Sequence, residues 1–95
     1  TIPLVFSLSQ NYPNPFNPNT TLDYSLPIAG NVHLAVYDLL GHEILILVDG
    51  YQEPGYKSII WNGTDKFGND VSTGMYFYKL RSADFEKVKK MVLLK

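Results

Sequence analysis

Apolar residues recur at alternate positions from one end of this chain to the other, and no stretch carries a convincing set at i, i+3, i+4 and i+7. A period of two sends neighbouring side chains to opposite faces of an extended backbone, so the chain reads as all-β. Leu4 to Ser9 is a first short strand. Thr20 to Leu26 alternates cleanly, with Leu22, Tyr24 and Leu26 on one face, until Pro27 and Gly30 break it. Val32, Leu34 and Val36 form the inward face of a third strand that ends near Asp38. The Leu39-Leu40-Gly41 step reverses the chain into a fourth strand, Glu43 to Val48, with two apolar sets that imply partial cover on both faces. Asp49-Gly50 and Pro54-Gly55 then bracket a loop before Tyr56 to Trp61, in which Trp61 is a core residue. Polar turns from Asn62 to Thr73 lead into Met75 to Arg81, and Phe85 to Leu94 closes the chain. Seven short strands with turn signals about every ten residues predict a seven-stranded antiparallel β-sandwich of immunoglobulin or fibronectin type III character.

One segment stands outside this rhythm. Tyr12-Pro13-Asn14-Pro15-Phe16-Asn17-Pro18 alternates prolines with asparagines around two aromatic rings. Each proline fixes φ near −65° and removes a backbone donor, so the run is expected as polyproline II broken by Asn-assisted turns, with Tyr12 and Phe16 capping the sandwich.

With 95 residues, 45% of them hydrophobic, and a net charge of −1, the chain is one compact domain over 1–95, of which 1–19 hold the proline-rich lead-in. It begins at Thr1 rather than Met and reads as a piece of something longer. The near-neutral charge argues against a nucleic-acid partner, although Lys87, Lys89, Lys90 and Lys95 cluster near the end, where lysines protect an edge strand from pairing. The absence of cysteine excludes a disulfide framework and cysteine-based zinc sites without assigning a compartment.

The inventory for catalysis is thin. His33 and His42 flank the predicted third-to-fourth strand hairpin and lie within reach of one another across a ladder, but no acidic residue at a fitting spacing completes a metal or acid-base set. No Gly-x-Ser-x-Gly elbow and no glycine-rich phosphate loop before a helix occurs. The loop from Asn62 to Asp70 is the best candidate for a hard cation such as Ca²⁺, although Asp, Asn and Gly are also what a tight turn requires. No cofactor is expected. Tyr51, Tyr56 and Phe67 raise an accessory carbohydrate-binding role, against which stands their reading as core or loop packing. The final run Lys89-Lys90-Met91-Val92-Leu93-Leu94-Lys95 places four consecutive apolar residues on both faces of a strand. The proline lead-in, a neighbouring loop or a partner protein must cover the second face.

Taken in order, Tyr12-Pro13-Asn14-Pro15-Phe16-Asn17-Pro18, Val36-Tyr37-Asp38-Leu39-Leu40-Gly41, Pro54-Gly55-Tyr56, Trp61-Asn62-Gly63, Gly74-Met75-Tyr76-Phe77-Tyr78-Lys79-Leu80 and Lys89-Lys90-Met91-Val92-Leu93 resemble the motifs of type IX secretion C-terminal sorting domains. The resemblance runs from Gln10 to Lys95, with His42 departing from the arginine that relatives often carry. It implies an immunoglobulin-like, non-catalytic domain at the end of an exported bacterial protein. The outer-membrane translocon would recognise the folded domain, and a sortase-like peptidase would remove it and anchor the fused N-terminal passenger at the cell surface, or the passenger would be released. In that scheme the translocon reads Gly74, Tyr76, Tyr78, Lys89, Lys90, Met91, Val92, Leu93 and Leu94, and Tyr12, Pro13, Asn14, Pro15 and Phe16 open the domain. A structural module similar to those of flagellar hook-capping proteins is the alternative.

Overall fold

The structure is a computed structural model that describes residues 2–94, so Thr1 and Lys95, the last lysine of the C-terminal cluster, lie outside the described residues. Seven strands follow in order: β1 Ser7–Leu8, β2 Thr20–Leu26, β3 Gly30–Tyr37, β4 Glu43–Gln52, β5 Gly55–Trp61, β6 Gly74–Ser82 and β7 Phe85–Leu93. They form two antiparallel sheets, β1-β2-β5 and β4-β3-β6-β7, packed as the expected sandwich. Leu22, Tyr24 and Leu26 from β2, Val32, Leu34 and Val36 from β3, and Tyr76, Tyr78 and Leu80 from β6 fill the space between the sheets. Alternation places each of these triplets on one side of its pleat, which is why their faces were legible in the sequence.

Two strand boundaries differ from expectation by more than a residue. The first strand shrinks to Ser7–Leu8, because only these residues pair, with Ser25 and Tyr24 of β2, while Leu4 and Val5 stay exposed. Conversely, Asp49-Gly50 does not end β4. Opposite it, β3 supplies His33 and Val32, and the ladder continues to the Gly30–Gln52 pair. Tertiary pairing overrides a local turn signal there. Register shifts at Leu34/Ala35 and Val36/Tyr37 also interrupt the period of two in β4, so Ile44, Leu45, Leu47 and Val48 all pack against the core and Ile46 turns outward.

The β3–β4 reversal and the loop after β5 use the same device. Asp38 Oδ1 accepts the amides of Leu40 and His42 (both 2.9 Å), and Asp65 Oδ1 accepts those of Phe67 and Asn69 (2.9 and 3.0 Å). The glycine three residues on, Gly41 or Gly68, has φ of 87° or 83°, a conformation that glycine enters without a steric penalty. Asp-x-x-Gly is therefore a rigid turn twice over, and each copy carries its most exposed apolar side chain at the tip, Leu40 (81%) and Phe67 (78%).

The proline run is bonded at both ends rather than solvated like polyproline II. Tyr12 exchanges two backbone hydrogen bonds with Thr21 of β2, and Phe16 exchanges two with Val92 and Leu94 at the end of β7. In between, the buried Asn11 holds the bend by donating from Nδ2 to Thr20 Oγ1 (2.9 Å) and to Pro13 O (3.2 Å). Below it, the fully buried Tyr78 hydroxyl donates to Ser9 O (2.7 Å) and accepts the Asn11 amide (2.8 Å).

Burial pushes the Tyr78 hydroxyl up to about 12, with the Asn11 amide pulling weakly the other way. An unfolded tyrosine ionises near pH 10, so its contribution is complete below pH 10 and is lost as pH rises toward 12, roughly 2 to 3 kcal/mol in all. Tyr78→Phe leaves a buried carbonyl and amide unpaired, and urea unfolding at neutral pH is expected to show a loss of about 1–3 kcal/mol. The same variant should lose less stability than the parent between pH 10 and 12. Tyr24 is raised in the same direction by burial and keeps part of the slope in both proteins.

Candidate functional site

The β6–β7 ladder brings the predicted recognition residues together. Gly74 lies opposite Leu93, Tyr76 opposite Met91 and Tyr78 opposite Lys89, with Phe77–Lys90 and Met75–Val92 between them on the other face. The ladder also sorts them. Tyr76, Tyr78, Met91 and Leu93 are buried between the sheets, whereas Lys90 and Leu94 are exposed and Gly74, Lys89 and Val92 are half-buried. Four of these nine predicted contact residues are thus core.

The second predicted group, Tyr12 to Phe16, meets the first. β7 is the last strand of its sheet, and its outward N–H and C=O groups would otherwise be bare. Gln10 Nε2 donates to Lys90 O (2.7 Å) and the Val92 amide donates to Asn14 Oδ1 (3.0 Å). The Phe16 amide donates to Val92 O, and the Leu94 amide donates to Phe16 O (both 2.9 Å). Four consecutive edge groups of β7 are therefore satisfied by residues about 80 positions earlier in the chain. Of the covers considered for the apolar terminal strand, the proline lead-in closes its edge, while the outer face stays open, with Leu94 exposed and Val92 half-buried.

Only one of the two rings in the run caps the core. Phe16 is 1% exposed and packs 5.6 Å from the Trp61 ring, which in turn meets the Tyr76 ring edge-on at 5.7 Å. This stack joins lead-in, β5 and β6 across both sheets. Tyr12, by contrast, is 53% exposed on the outer face of the three-stranded sheet, where its hydroxyl donates to Asp23 Oδ2 (3.0 Å) and is raised by that bond more than by burial. Pro13 and Pro15 are exposed and make the bend that separates the two rings.

The remaining candidates are dispersed. His33 sits on β3 opposite Asp49, while His42 occupies the turn with Nδ1 3.3 Å from Asp38, so the two histidines do not converge. The Asp38 carboxyl is held below the usual range, chiefly by the His42 amide. Tyr51, Tyr56 and Phe67 are all exposed, contrary to their reading as packing residues, because each lies on an outward position or a loop tip. Tyr51 belongs to the four-stranded sheet and Tyr56 to the three-stranded one, so they make no common platform. In the Asn62–Asp70 loop the Asp65 carboxylate is taken up by its own backbone, and among the described residues no group of three or more His, Cys, Asp or Glu side chains could hold a metal. Residues that sequence reasoning missed are Gln10 and Asn11, whose only signal is that they adjoin the proline run.

Two measurements follow from this geometry. Phe16→Ala empties a buried site and is expected to cost about 3–5 kcal/mol in urea unfolding, whereas Tyr12→Ala should cost about 1 kcal/mol or less. Millimolar Ca²⁺ should leave the melting temperature unchanged; a rise that depends on Asp65 or Asp70 would contradict the turn assignment.

Comparison with known proteins agrees with this architecture. The chain matches the family described as secretion system C-terminal sorting domain over residues 10–94. Among solved structures it is similar to dimeric latent PorU from Porphyromonas gingivalis, with TM-score 0.74, 22% identity, and coverage of 95% of this chain and 9% of that one. It is also similar to PorZ, described as an essential surface component of the type IX secretion system of P. gingivalis, with TM-score 0.65, 18% identity, and coverage of 94% and 12%. FlgD from P. aeruginosa shares the fold at TM-score 0.60 and 26% identity, over 78% of this chain and 58% of that one. No curated protein matches the sequence significantly. This chain spans only about a tenth of the PorU and PorZ chains. The family match extends over nearly all of the strands described above, so the chain belongs to the secretion system C-terminal sorting domains, non-catalytic domains that direct the proteins fused to them into type IX secretion.

Proposed function

We propose that the outer-membrane translocon of the type IX system recognises this domain in its folded state, through the solvent side of the β6–β7 hairpin and the lead-in segment that clamps it. The observation that carries this reading is the shared construction of the two ends. Gln10 to Phe16 covers the edge of β7 only when the whole sandwich has formed, so a reader of that corner distinguishes folded from unfolded cargo. The contact residues are then Gly74, Lys89, Lys90, Val92 and Leu94. Tyr76, Tyr78, Met91, Leu93 and Phe16 act by holding the hairpin and the lead-in in place. Tyr12, Pro13, Asn14 and Pro15 set the path of the lead-in. A sortase-like peptidase acting upstream of the sandwich would free the passenger for anchoring at the cell surface or for release. Ile2, Leu4 and Val5 carry exposed side chains and precede a strand of only two residues, which favours cleavage on that side of the sandwich.

Fusing this chain to the C-terminus of a periplasmic reporter tests the reading. In a bacterium with a type IX system the reporter is expected at the surface or in the medium, and in a translocon-deficient strain in the periplasm. Periplasmic retention in both strains would overturn it. Truncation at Lys89 is not a clean probe, because it removes the buried Met91 and Leu93 and so attacks the fold. The pair Lys89→Ala and Leu94→Ala keeps the core, should change stability by no more than about 1 kcal/mol, and is expected to slow export.

A further inference from the structure

The outer face of the four-stranded sheet divides into two halves of different chemistry. Toward the Ser82 end, Asp49, His33, Arg81 and Glu86 lie in one cross-strand row, so positive and negative groups alternate. Toward the Gly74 end the rows are Ile46, Ala35, Lys79 and Val88, then Tyr37, Phe77 and Lys90, then Met75 and Val92. Glu43, beside Tyr37 on β4, is the one acid in register with this half. Val88 is 49% exposed, although it sits in the middle of a strand.

Two shallow grooves meet here. One is lined by Gln10, Phe77, Val88, Lys89 and Lys90, the other by Tyr37, Gly41, Phe77, Lys79 and Val88. Lys79 Nζ stands 5.2 Å above the Tyr37 ring. Among the described residues no carboxylate pairs with Lys79, Lys89 or Lys90, because the one ion pair is His42 with Asp38. An apolar floor is thus rimmed on its own face by two cations without internal partners, Lys79 and Lys90, while Lys89 stands at the edge on the face of Tyr78.

The backbone adds a further element. Val92 and Lys90 turn their hydrogen-bonding groups outward to Asn14, Phe16 and Gln10, and in an antiparallel pair the outward positions recur every second residue. Val88 is the next such position. Among the described residues no lead-in or side-chain group bonds its N–H or C=O, so the clamp ends one step short of it.

Resting on the sorting function proposed above, we infer that this half-face receives an extended segment of the export machinery that carries an apolar residue and an Asp or Glu two positions apart, and so on one face. The segment adds to the β7 edge at Val88, lays its apolar side chain beside Phe77 and Val88, and sets the carboxylate of the same face against Lys90. The open backbone position favours a protein strand over a lipid or lipopolysaccharide surface, which has no matching row of amides.

The test uses the full chain fused to the reporter. Val88→Glu sets a charge against the incoming apolar side chain and Lys90→Glu a like charge against the incoming acid, and each is expected to lower surface delivery about tenfold or more, equivalent to about 1.4 kcal/mol, at unchanged melting temperature. Tyr51→Glu, an exposed site on the polar half of the same sheet, should leave delivery unchanged. A photo-crosslinking amino acid in place of Val88 should yield an adduct with a protein of the export machinery, weakened by Lys90→Glu. That measurement needs no destabilised variant. Undiminished delivery by folded Val88→Glu and Lys90→Glu would overturn the inference, as would an adduct to lipopolysaccharide or equal damage from Tyr51→Glu. Failure of the parent fusion to leave the periplasm would instead overturn the sorting function and this inference with it.

Discussion

The closure of the β7 edge by the lead-in segment is the constraint on which the rest of this structure depends. A terminal strand at the margin of a sheet is a hazard, since its bare amides and carbonyls invite pairing with any other chain. Here Gln10, Asn14 and Phe16 occupy those groups from Lys90 to Leu94, and the Phe16 ring enters the core against Trp61 in the same step. Hydrogen bonds at the rim and an aromatic stack inside are therefore coupled. Neither forms unless the ends of the chain have met.

This coupling gives a physical meaning to a folded sorting signal. The terminal strand is sequestered along one edge and one face, and what remains accessible is a lysine-rimmed outer surface that exists only on the assembled sheet. Buried rings of the hairpin, Tyr76 and Tyr78, are anchored by hydroxyl bonds to Ser72 and Ser9 rather than offered to a partner. A buried hydroxyl without such a partner would be costly, so these bonds fix where each ring sits. The paired Asp-x-x-Gly turns give rigid reversals that leave Leu40 and Phe67 in solvent.

Much of the fold was legible in the sequence. Strand identity, the inward triplets of β2, β3 and β6, and the core position of Trp61 all follow from alternation, which depends only on the pleat of a single strand. The errors lie where pairing partners decide. β1 lost its first residues because β2 offers them no ladder, and β4 ran through Asp49-Gly50 because β3 does. Tyr51, Tyr56 and Phe67 were misread as packing, since aromatic character alone does not say which face of a sheet a position takes.

The sequence by itself determined that the chain is an all-β sandwich, that Tyr12 to Pro18 is a special connector, and that the chain resembles sorting domains at its two ends. Only the tertiary structure decided that the connector and the terminal strand are one site, that Phe16 is core and Tyr12 is surface, and that four of the nine expected recognition residues are interior. The reason is range. Propensity and alternation act over a few residues, whereas the bonds that join Gln10 to Lys90 and Asn14 to Val92 span about 80 positions and exist only once two sheets have packed.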